Sequence, residues 1–167
     1  RPDLHFVVTA TTRAPRPGET DGVDYHFVDR ARFESWIQEN SLLEHARVYG
    51  EWRGIPRTQV DAALRRGTDC VLRLDVRGAA RVKALLPNVV TVFVAPESER
   101  ALRARLERRG EDSPAEVDLR LRTVQRELEA ARAFDFVVVN AAGRCEEAVE
   151  QLDAILTAEK ARGARLF

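Results

Sequence analysis

The sequence predicts an α/β protein in which a parallel sheet is flanked by helices. Short apolar runs recur at residues 6–8, 70–76, 89–94 and 134–139, separated by segments with helical periodicity. Two of these runs are apolar on both faces, which is typical of parallel strands covered on each side. With 167 residues the chain can bury a core, and we expect one domain over residues 1–167.

The segment between the first two runs, about residues 13–55, is expected to form an insertion with elements of its own. A short strand is predicted at 25–27 and a helix at about 30–39. The apolar face of this helix is formed by Phe33, Trp36 and Ile37. The insertion is therefore predicted to contain both a strand and an amphipathic helix.

Three further helices are predicted after the insertion. The first lies between Pro56 and Gly67, which stand at the usual start and stop positions of a helix. Its buried side chains are expected to be Val60, Ala63 and Leu64. Residues 113–116 are typical of a capping box that opens the second helix. The apolar stripe of that helix is Val117, Leu121, Val124, Leu128 and Ala131. The third is an amphipathic helix over 146–162, which we expect to dock on the sheet.

Composition excludes several classes of partner. The 27 acidic residues balance the 27 basic ones, so no net field favours nucleic acid. Two of the basic residues are Lys, which leaves 25 Arg, and we ascribe that bias to genomic base composition. No apolar run approaches the length that spans a membrane. Cys70 and Cys145 have no metal-binding spacing, which fits a reducing compartment, either the cytoplasm or, in a plant, the plastid stroma.

The most informative loop follows the first apolar run. Arg13 and Arg16 lie three residues apart among Pro and Gly residues, and Tyr25 follows. Proline restricts the unbound loop, and a guanidinium fork suits bidentate capture of a phosphate. The alternative from these residues alone is an ordinary surface loop with solvated charges.

Residues 11–27 fill every specified place of the pattern T-T-R-x-P-R-x-G-E-x-x-G-x-D-Y-x-F, and the chain thereby resembles the guanylate kinases. The resemblance continues to about residue 160, and residues 49–56 and 71–75 are similar to the plastid-like branch of that family. It implies a P-loop nucleoside monophosphate kinase fold, with 13–55 as the GMP-binding insertion and 96–122 as a helical lid. The implied reaction transfers a phosphoryl group from ATP to GMP.

The resemblance also implies which residues bind GMP. Glu44 matches the residue that reads guanine, whose adjacent N1–H and N2 amino donors suit one carboxylate. Without the resemblance, Glu44 would be taken as a solvated strand end, and the pair Arg73 and Asp75, placed on one strand, as a satisfied ion pair. Arg73 stands where many members have Asp, and Ile55 replaces a small hydroxyl residue. The implied GMP contacts are Thr9, Arg13, Arg16, Tyr25, Glu44 and Asp75. Arg53 stands where the family has a Tyr that contacts the phosphate, and we expect it to donate in place of that residue.

The implied transfer residues are arginines of the lid. Phosphoryl transfer builds charge on the γ-phosphate oxygens, which placed guanidinium groups stabilise. By resemblance these groups are Arg105, Arg109 and Arg120. The alternative from spacing alone is that they form a solvent-exposed helix face or pair with nearby acids. Asn140 matches the loop beside the adenine of ATP. Mg²⁺ is expected to come with ATP, and no residue of this chain is assigned as a metal ligand.

The phosphate cradle for ATP is not found in the printed sequence. No Gly-x-x-x-x-Gly-Lys followed by Ser or Thr occurs in it. We therefore expect an N-terminally truncated guanylate kinase, with a further strand belonging between 70–76 and 89–94. The chain as printed is expected to bind GMP poorly and to transfer no phosphate. The rival hypothesis is a catalytically dead module that binds GMP or a phosphopeptide. A homo-oligomer is compatible with either.

Overall fold

The computed structural model describes residues 3–48, 50–109 and 114–163, without the side chains of 109 and 114–116. Its strands are β1 (Leu4–Phe6), β2 (Ala10–Thr11), β3 (His26–Phe27), β4 (Leu42–Val48), β5 (Glu51–Pro56), β6 (Asp69–Val71), β7 (Val92–Pro96) and β8 (Phe136–Asn140). Its α-helices are α1 (Arg30–Gln38), α2 (Arg57–Arg65), α3 (Val76–Leu85), α4 (Glu99–Arg109), α5 (Pro114–Ala130) and α6 (Cys145–Gly163). None of these helices is long and apolar enough to cross a membrane.

The chain divides into two compact units, residues 1–87 and 88–167. In the first unit β1 and β6 form a parallel pair, and a second sheet has the strand order β3-β2-β5-β4. In the second unit β7 and β8 form a parallel pair. Parallel strands alternating with helices confirm the α/β class. From the sequence, a further strand is expected between β6 and β7. Within the described ranges β6 pairs with β1, and β7 pairs with β8.

The strand predicted over 70–76 is shorter than expected. β6 ends at Val71, which pairs with Phe6 at the end of β1, and the amide of Val7 donates the last bond to the Val71 carbonyl (3.0 Å). Beyond this point the strand has no ladder to join, because β1 has ended. The prediction that Arg73 and Asp75 share a strand face is therefore wrong, since Asp75 is the N-cap of α3.

The α1 helix covers one face of the four-stranded sheet. It begins where the Asp29 carboxylate accepts a bond from the Arg32 amide (2.7 Å), an N-cap of the preferred kind. The ring of Phe33 stacks on Trp52 of β5, with centroids 5.7 Å apart and planes at 12°. Phe33 is fully buried, and Trp36 and Ile37 pack beside it, which confirms the predicted apolar face.

The α2 helix begins after Pro56 and is followed by Gly67 at a φ of 69°, as the sequence predicts. Val60 and Ala63 are buried, but Leu64 is 57% exposed, so the prediction that it is buried is wrong. Each residue turns the helix by about 100°. Leu64 directly follows buried Ala63, so its side chain points about 100° away from that of Ala63 and lies outside the buried face of the helix.

The second unit is built on β7 and β8. The Asp135 carboxylate accepts bonds from the amide and hydroxyl of Thr91 (2.7 and 2.8 Å), which ties together the starts of the two strands. β7 begins at Val92, three residues later than the predicted run. The α6 helix packs on β8 and buries Ala148, as expected for the docked helix.

The α4 and α5 helices pack against each other within the second unit. Their shared apolar cluster is formed by Leu102, Leu106, Val117 and Leu121, and Arg103 pairs with Asp118 across the two helices (2.9 Å). The predicted stripe of α5 is buried at Val117 and Leu121 and exposed at Leu128. The helix begins at Pro114, whereas the predicted cap at Ser113 lies outside the described residues.

Packing at Gly54 gives a test of the sheet. A Cβ at this position would lie 2.9 Å from Phe33 Cζ and 3.2 Å from the Glu44 carbonyl oxygen. Because the backbone oxygen cannot move aside, Gly54→Ala is expected to lower the free energy of unfolding by about 1–3 kcal/mol. Urea denaturation measures this, with Gly163→Ala as control. A Cβ at Gly163 meets nothing within 4 Å, and there the change should stay within about 0.5 kcal/mol. Equal effects of the two substitutions would contradict the described packing.

Candidate nucleotide-binding site

Two of the predicted GMP contacts, Glu44 and Arg53, lie on the face of the four-stranded sheet that α1 does not cover. Trp52 and Gly54 of β5 face α1, so Arg53 and Ile55 face the other way. The register pairs Arg53 with Thr11 on one side and with Ala46 on the other, and Glu44 with Ile55. Opposite residues share a face, which places Glu44 diagonally from Arg53 on the face away from α1.

A one-residue bulge in β4 directs Glu44 to this face. Leu42 pairs with Pro56 and Glu44 with the next residue, Ile55, so Leu43 is an extra residue in β4. Leu42 packs against Phe33 on the α1 side, whereas Leu43 packs with Ile55 in a different cluster. Without the bulge, Leu42 and Glu44 would share a face, because they lie two residues apart.

The loop before β3 is shaped by its own acidic side chains. Gly18 and Gly22 have φ values of 86° and 76°, which favour glycine. The Asp21 carboxylate accepts a bond from the Phe27 amide (2.8 Å), and the Gly22 amide donates to the Tyr25 carbonyl (2.8 Å). These bonds fix the backbone at Tyr25 and immediately after it.

Glu19 holds the Arg13 guanidinium in a bidentate pair. Arg13 donates to both carboxylate oxygens of Glu19 (2.9 and 2.8 Å), and the Arg16 amide donates to the same carboxylate (2.7 Å). The hydrogen bonds from Arg13, followed by the one from the Arg16 backbone, lower the pKa of Glu19 from 4.5 to about 2. Sequence reasoning assigned no role to Glu19, although its position three residues after Arg16 in a tight loop was an available signal.

Three guanidinium groups surround the ring of Tyr25. Those of Arg13, Arg53 and Arg73 lie 5.2, 5.8 and 4.9 Å from its centroid, within the range of cation–π contact. The Nε of Arg53 is buried and has no hydrogen-bond partner within the described part of the chain. We call Arg13, Arg53, Arg73 and Tyr25 the arginine cluster. So much positive charge in one place suits an anion with several acceptor oxygens.

Arg73 is a residue of this site that the sequence analysis did not assign to it. It reaches Tyr25 because the chain leaves β6 after Val71 and turns towards α3. The signal in the sequence was its departure from the family pattern, and only the structure shows which ring it meets.

Two carboxylates converge at the start of α3. A Cβ built on Gly78 would lie 3.2 Å from Asp75 Oδ1 and 3.3 Å from Glu44 Oε1, so Gly78 leaves room for both acids. Asp75 Oδ1 also accepts the Gly78 amide (2.7 Å) as the N-cap. The Glu44 side chain is only 4% exposed, and Arg81 of α3 pairs with it. The view of Glu44 as a solvated strand end is therefore wrong.

Thr9 and Arg16 lie in the same unit as these groups. Thr9 is buried immediately before β2, and its carbonyl accepts the His26 amide (2.9 Å). Arg16 is half-buried in the loop that carries Glu19. The first unit thus contains all seven of the predicted GMP contacts.

In the second unit, Arg105 lies next to Asn140. Its Nη2 donates to the Asn140 carbonyl at 2.5 Å, so the structure brings together one predicted transfer residue and the predicted adenine-side residue. Arg120 is half-buried on α5. The side chain of Arg109 lies outside the described residues.

The described residues offer no ligand set for a metal ion. Among them, no three His, Cys, Asp or Glu side chains come close enough to hold one. Mg²⁺ commonly binds through substrate phosphates and water with one or two carboxylates, so we assign it no ligand here.

The fold resembles that of a solved guanylate kinase. The crystal structure of guanylate kinase from Anaplasma phagocytophilum matches with a TM-score of 0.81 and 32% identity, over 94% of this chain and 76% of that one. This likeness puts the fold in the class of P-loop nucleoside monophosphate kinases.

The sequence comparisons identify the family. The family model described as guanylate kinase matches residues 2–159. A guanylate kinase from Thermus thermophilus is 46% identical over 99% of this chain and 74% of its own length. Guanylate kinase 2, chloroplastic/mitochondrial, from Oryza sativa subsp. japonica is 44% identical over 97% of this chain and 57% of its own length. The chain belongs to the guanylate kinase family.

The ion pair between Arg13 and Glu19 is expected to make the stability of this loop depend on pH. Because the pKa of Glu19 is lowered to about 2 from 4.5, its contribution to stability is complete above about pH 4.5 and is lost as the pH falls towards 2. A carboxyl-detected NMR titration should give Glu19 a pKa of about 2. In Arg13→Ala the value should rise towards 4.5. A normal value in the parent protein would contradict the bidentate pair.

Proposed function

We propose that the protein transfers the terminal phosphoryl group of ATP to GMP, giving ADP and GDP. The single observation that carries this proposal is that Glu44 and Arg53 share one sheet face in the first unit. A buried acid that suits a purine edge and a cluster of cations that suits a phosphate therefore belong to one surface. Family membership supplies the reaction class.

Glu44 and Asp75 form the base side of the proposed site. Guanine presents N1–H and the N2 amino group side by side, and a carboxylate accepts from both. Adenine presents an acceptor at N1 and lacks the N2 amino group, which would leave the buried carboxylate half unpaired, and such mismatches discriminate strongly. Thr9 would add a hydroxyl, and its burial next to β2 is compatible with that role.

The arginine cluster forms the phosphate side, together with Arg16. Arg13 is already fixed by Glu19, and a fixed guanidinium loses less entropy when a phosphate binds. Arg53 has a buried Nε whose hydrogen-bonding capacity no described residue uses. Tyr25 holds the cations around its ring and would donate its hydroxyl to a phosphate oxygen.

Arg105, Arg109 and Arg120 are proposed to stabilise the transferring phosphoryl group. Charge spreads over its equatorial oxygens in the transition state, and fixed guanidinium groups compensate that charge without reorganisation. Arg105 is anchored at the Asn140 carbonyl, near the proposed adenine side of ATP. Mg²⁺ carried by ATP would supply charge neutralisation. The compartment, cytoplasm or plastid stroma, and the oligomeric state stay predictions.

Glu44→Gln tests the base side. The amide turns one acceptor into a donor that faces the donors of guanine, so GMP affinity should fall by about 100-fold. Calorimetry measures this. The matched control is Glu34→Gln, an exposed acid of α1 that pairs with Arg30 on the covered side of the sheet. It should leave GMP affinity within about twofold.

Two results would contradict the proposal. One is a Glu44→Gln protein that binds GMP as the parent does. The other is a parent protein that binds a phosphopeptide but not GMP, which would support the binding module instead.

Arg73→Ala tests the phosphate side. Loss of one guanidinium from the arginine cluster should weaken GMP binding by about tenfold, because a charge-assisted bond is lost. Guanosine, which has no phosphate, should bind equally to variant and parent. Equal losses for GMP and guanosine would show that Arg73 supports the fold rather than the phosphate.

A further inference from the structure

Arg81 is the cation that faces Glu44. Its Nε and Nη2 both donate to Oε1 of Glu44, the Nε bond at 3.0 Å, and Nη2 also reaches the His45 carbonyl (3.3 Å). The Arg81 side chain is 46% exposed, whereas the Glu44 side chain is 4% exposed. The cation thus reaches from solvent to a carboxylate that water scarcely touches.

The surroundings of Glu44 make this cation necessary. Asp75 converges with Glu44 at Gly78, so two acids lie close together. The helix start compensates Asp75, whose carboxylate accepts the Gly78 amide. A buried charge needs a partner, and Arg81 is the cation paired with Glu44 among the described residues.

The contact also orients the carboxylate. Two donors on one oxygen, with a third bond from the same guanidinium to the backbone of β4, fix Oε1 relative to the sheet. Oε2 has no donor among the described residues. A fixed carboxylate with one unoccupied oxygen can accept hydrogen bonds from the edge of a base.

We propose that Arg81 is a positioning residue that pairs with the Glu44 carboxylate and orients it, and that it thereby sets the preference for guanine over adenine. This inference deepens the proposed function and rests on it. Arg81 touches no part of the substrate in this account, so it acts on the base only through Glu44.

The experiment compares Arg81→Ala, Arg81→Gln and Arg81→Lys with the parent protein. Phosphoryl transfer is measured with GMP and with AMP as acceptors, together with the binding of each by calorimetry. For Arg81→Ala the KM for GMP should rise about ten- to a hundredfold, with kcat within about threefold of the parent. The ratio of GMP to AMP affinity should fall, because a Glu44 carboxylate that is no longer held in place discriminates less between the edges of guanine and adenine.

The conservative variant separates charge from shape. Lys keeps the positive charge, so Arg81→Lys should recover part of the GMP affinity, whereas Arg81→Gln should not. Should Arg81→Ala fail to fold, the comparison of the other two variants still tests the proposal, which requires a higher GMP affinity in Arg81→Lys than in Arg81→Gln. Arg77→Ala is the control, because it removes the same charge from an exposed position of the same helix and should leave KM within about twofold.

Several outcomes would overturn the inference. One is an unchanged or tighter GMP affinity in Arg81→Ala, and another is an equal loss of affinity for GMP and for AMP in that variant. The others are an equal loss of GMP affinity in Arg77→Ala, or the same GMP affinity in Arg81→Gln as in Arg81→Lys. A parent protein with no preference for GMP would instead contradict the proposed function itself, so the two failures are distinguishable.

Discussion

A carboxylate buried on a sheet face must have a cation and hydrogen-bond donors, and the first unit is arranged around that requirement at Glu44. The bulge at Leu43 turns the side chain away from α1, and Gly78 leaves room for it where a Cβ would crowd the carboxylate. Arg81 supplies the opposite charge. These three features come from β4 and from two turns of α3, so the base side of the site depends on how that strand and helix meet.

On the phosphate side, the charges that need compensation are positive. Cations gathered in one place repel each other, and here the ring of Tyr25 and the carboxylate of Glu19 hold them together. Glu19 accepts hydrogen bonds from both Nη1 and Nη2 of Arg13. A phosphate that binds there would compete with the Glu19 carboxylate or share the guanidinium with it. Arg53 and Arg73 contact the ring and have no acidic partner among the described residues, which makes them the cations most available to an anion.

Local signals in the sequence were sufficient for much of the fold. The Asp29 cap and the spacing of Phe33, Trp36 and Ile37 define α1, and Pro56 with Gly67 defines α2. The end of β6 was mispredicted because it depends on where its partner β1 stops, which the apolar run 70–76 does not encode. Leu64 was mispredicted because an apolar residue at the edge of a stripe can face solvent.

The candidate site could be proposed from the sequence where its residues form a contiguous motif, as in the loop of Arg13, Arg16 and Tyr25. It could not be predicted where distant segments meet. Arg81 contacts Glu44 across 37 positions of sequence, and a bulge in β4 has no signature in the residues around Leu43. Register and long-range pairing are tertiary properties, so these contacts emerge only from the folded chain.

A crystal structure of the protein with GMP would show whether one sheet face binds both ends of the nucleotide. We expect the guanine edge within hydrogen-bond distance of the Glu44 carboxylate, with the phosphate among Arg13, Arg53 and Arg73. A nucleotide bound with its base away from Glu44, or with its phosphate outside the arginine cluster, would contradict it.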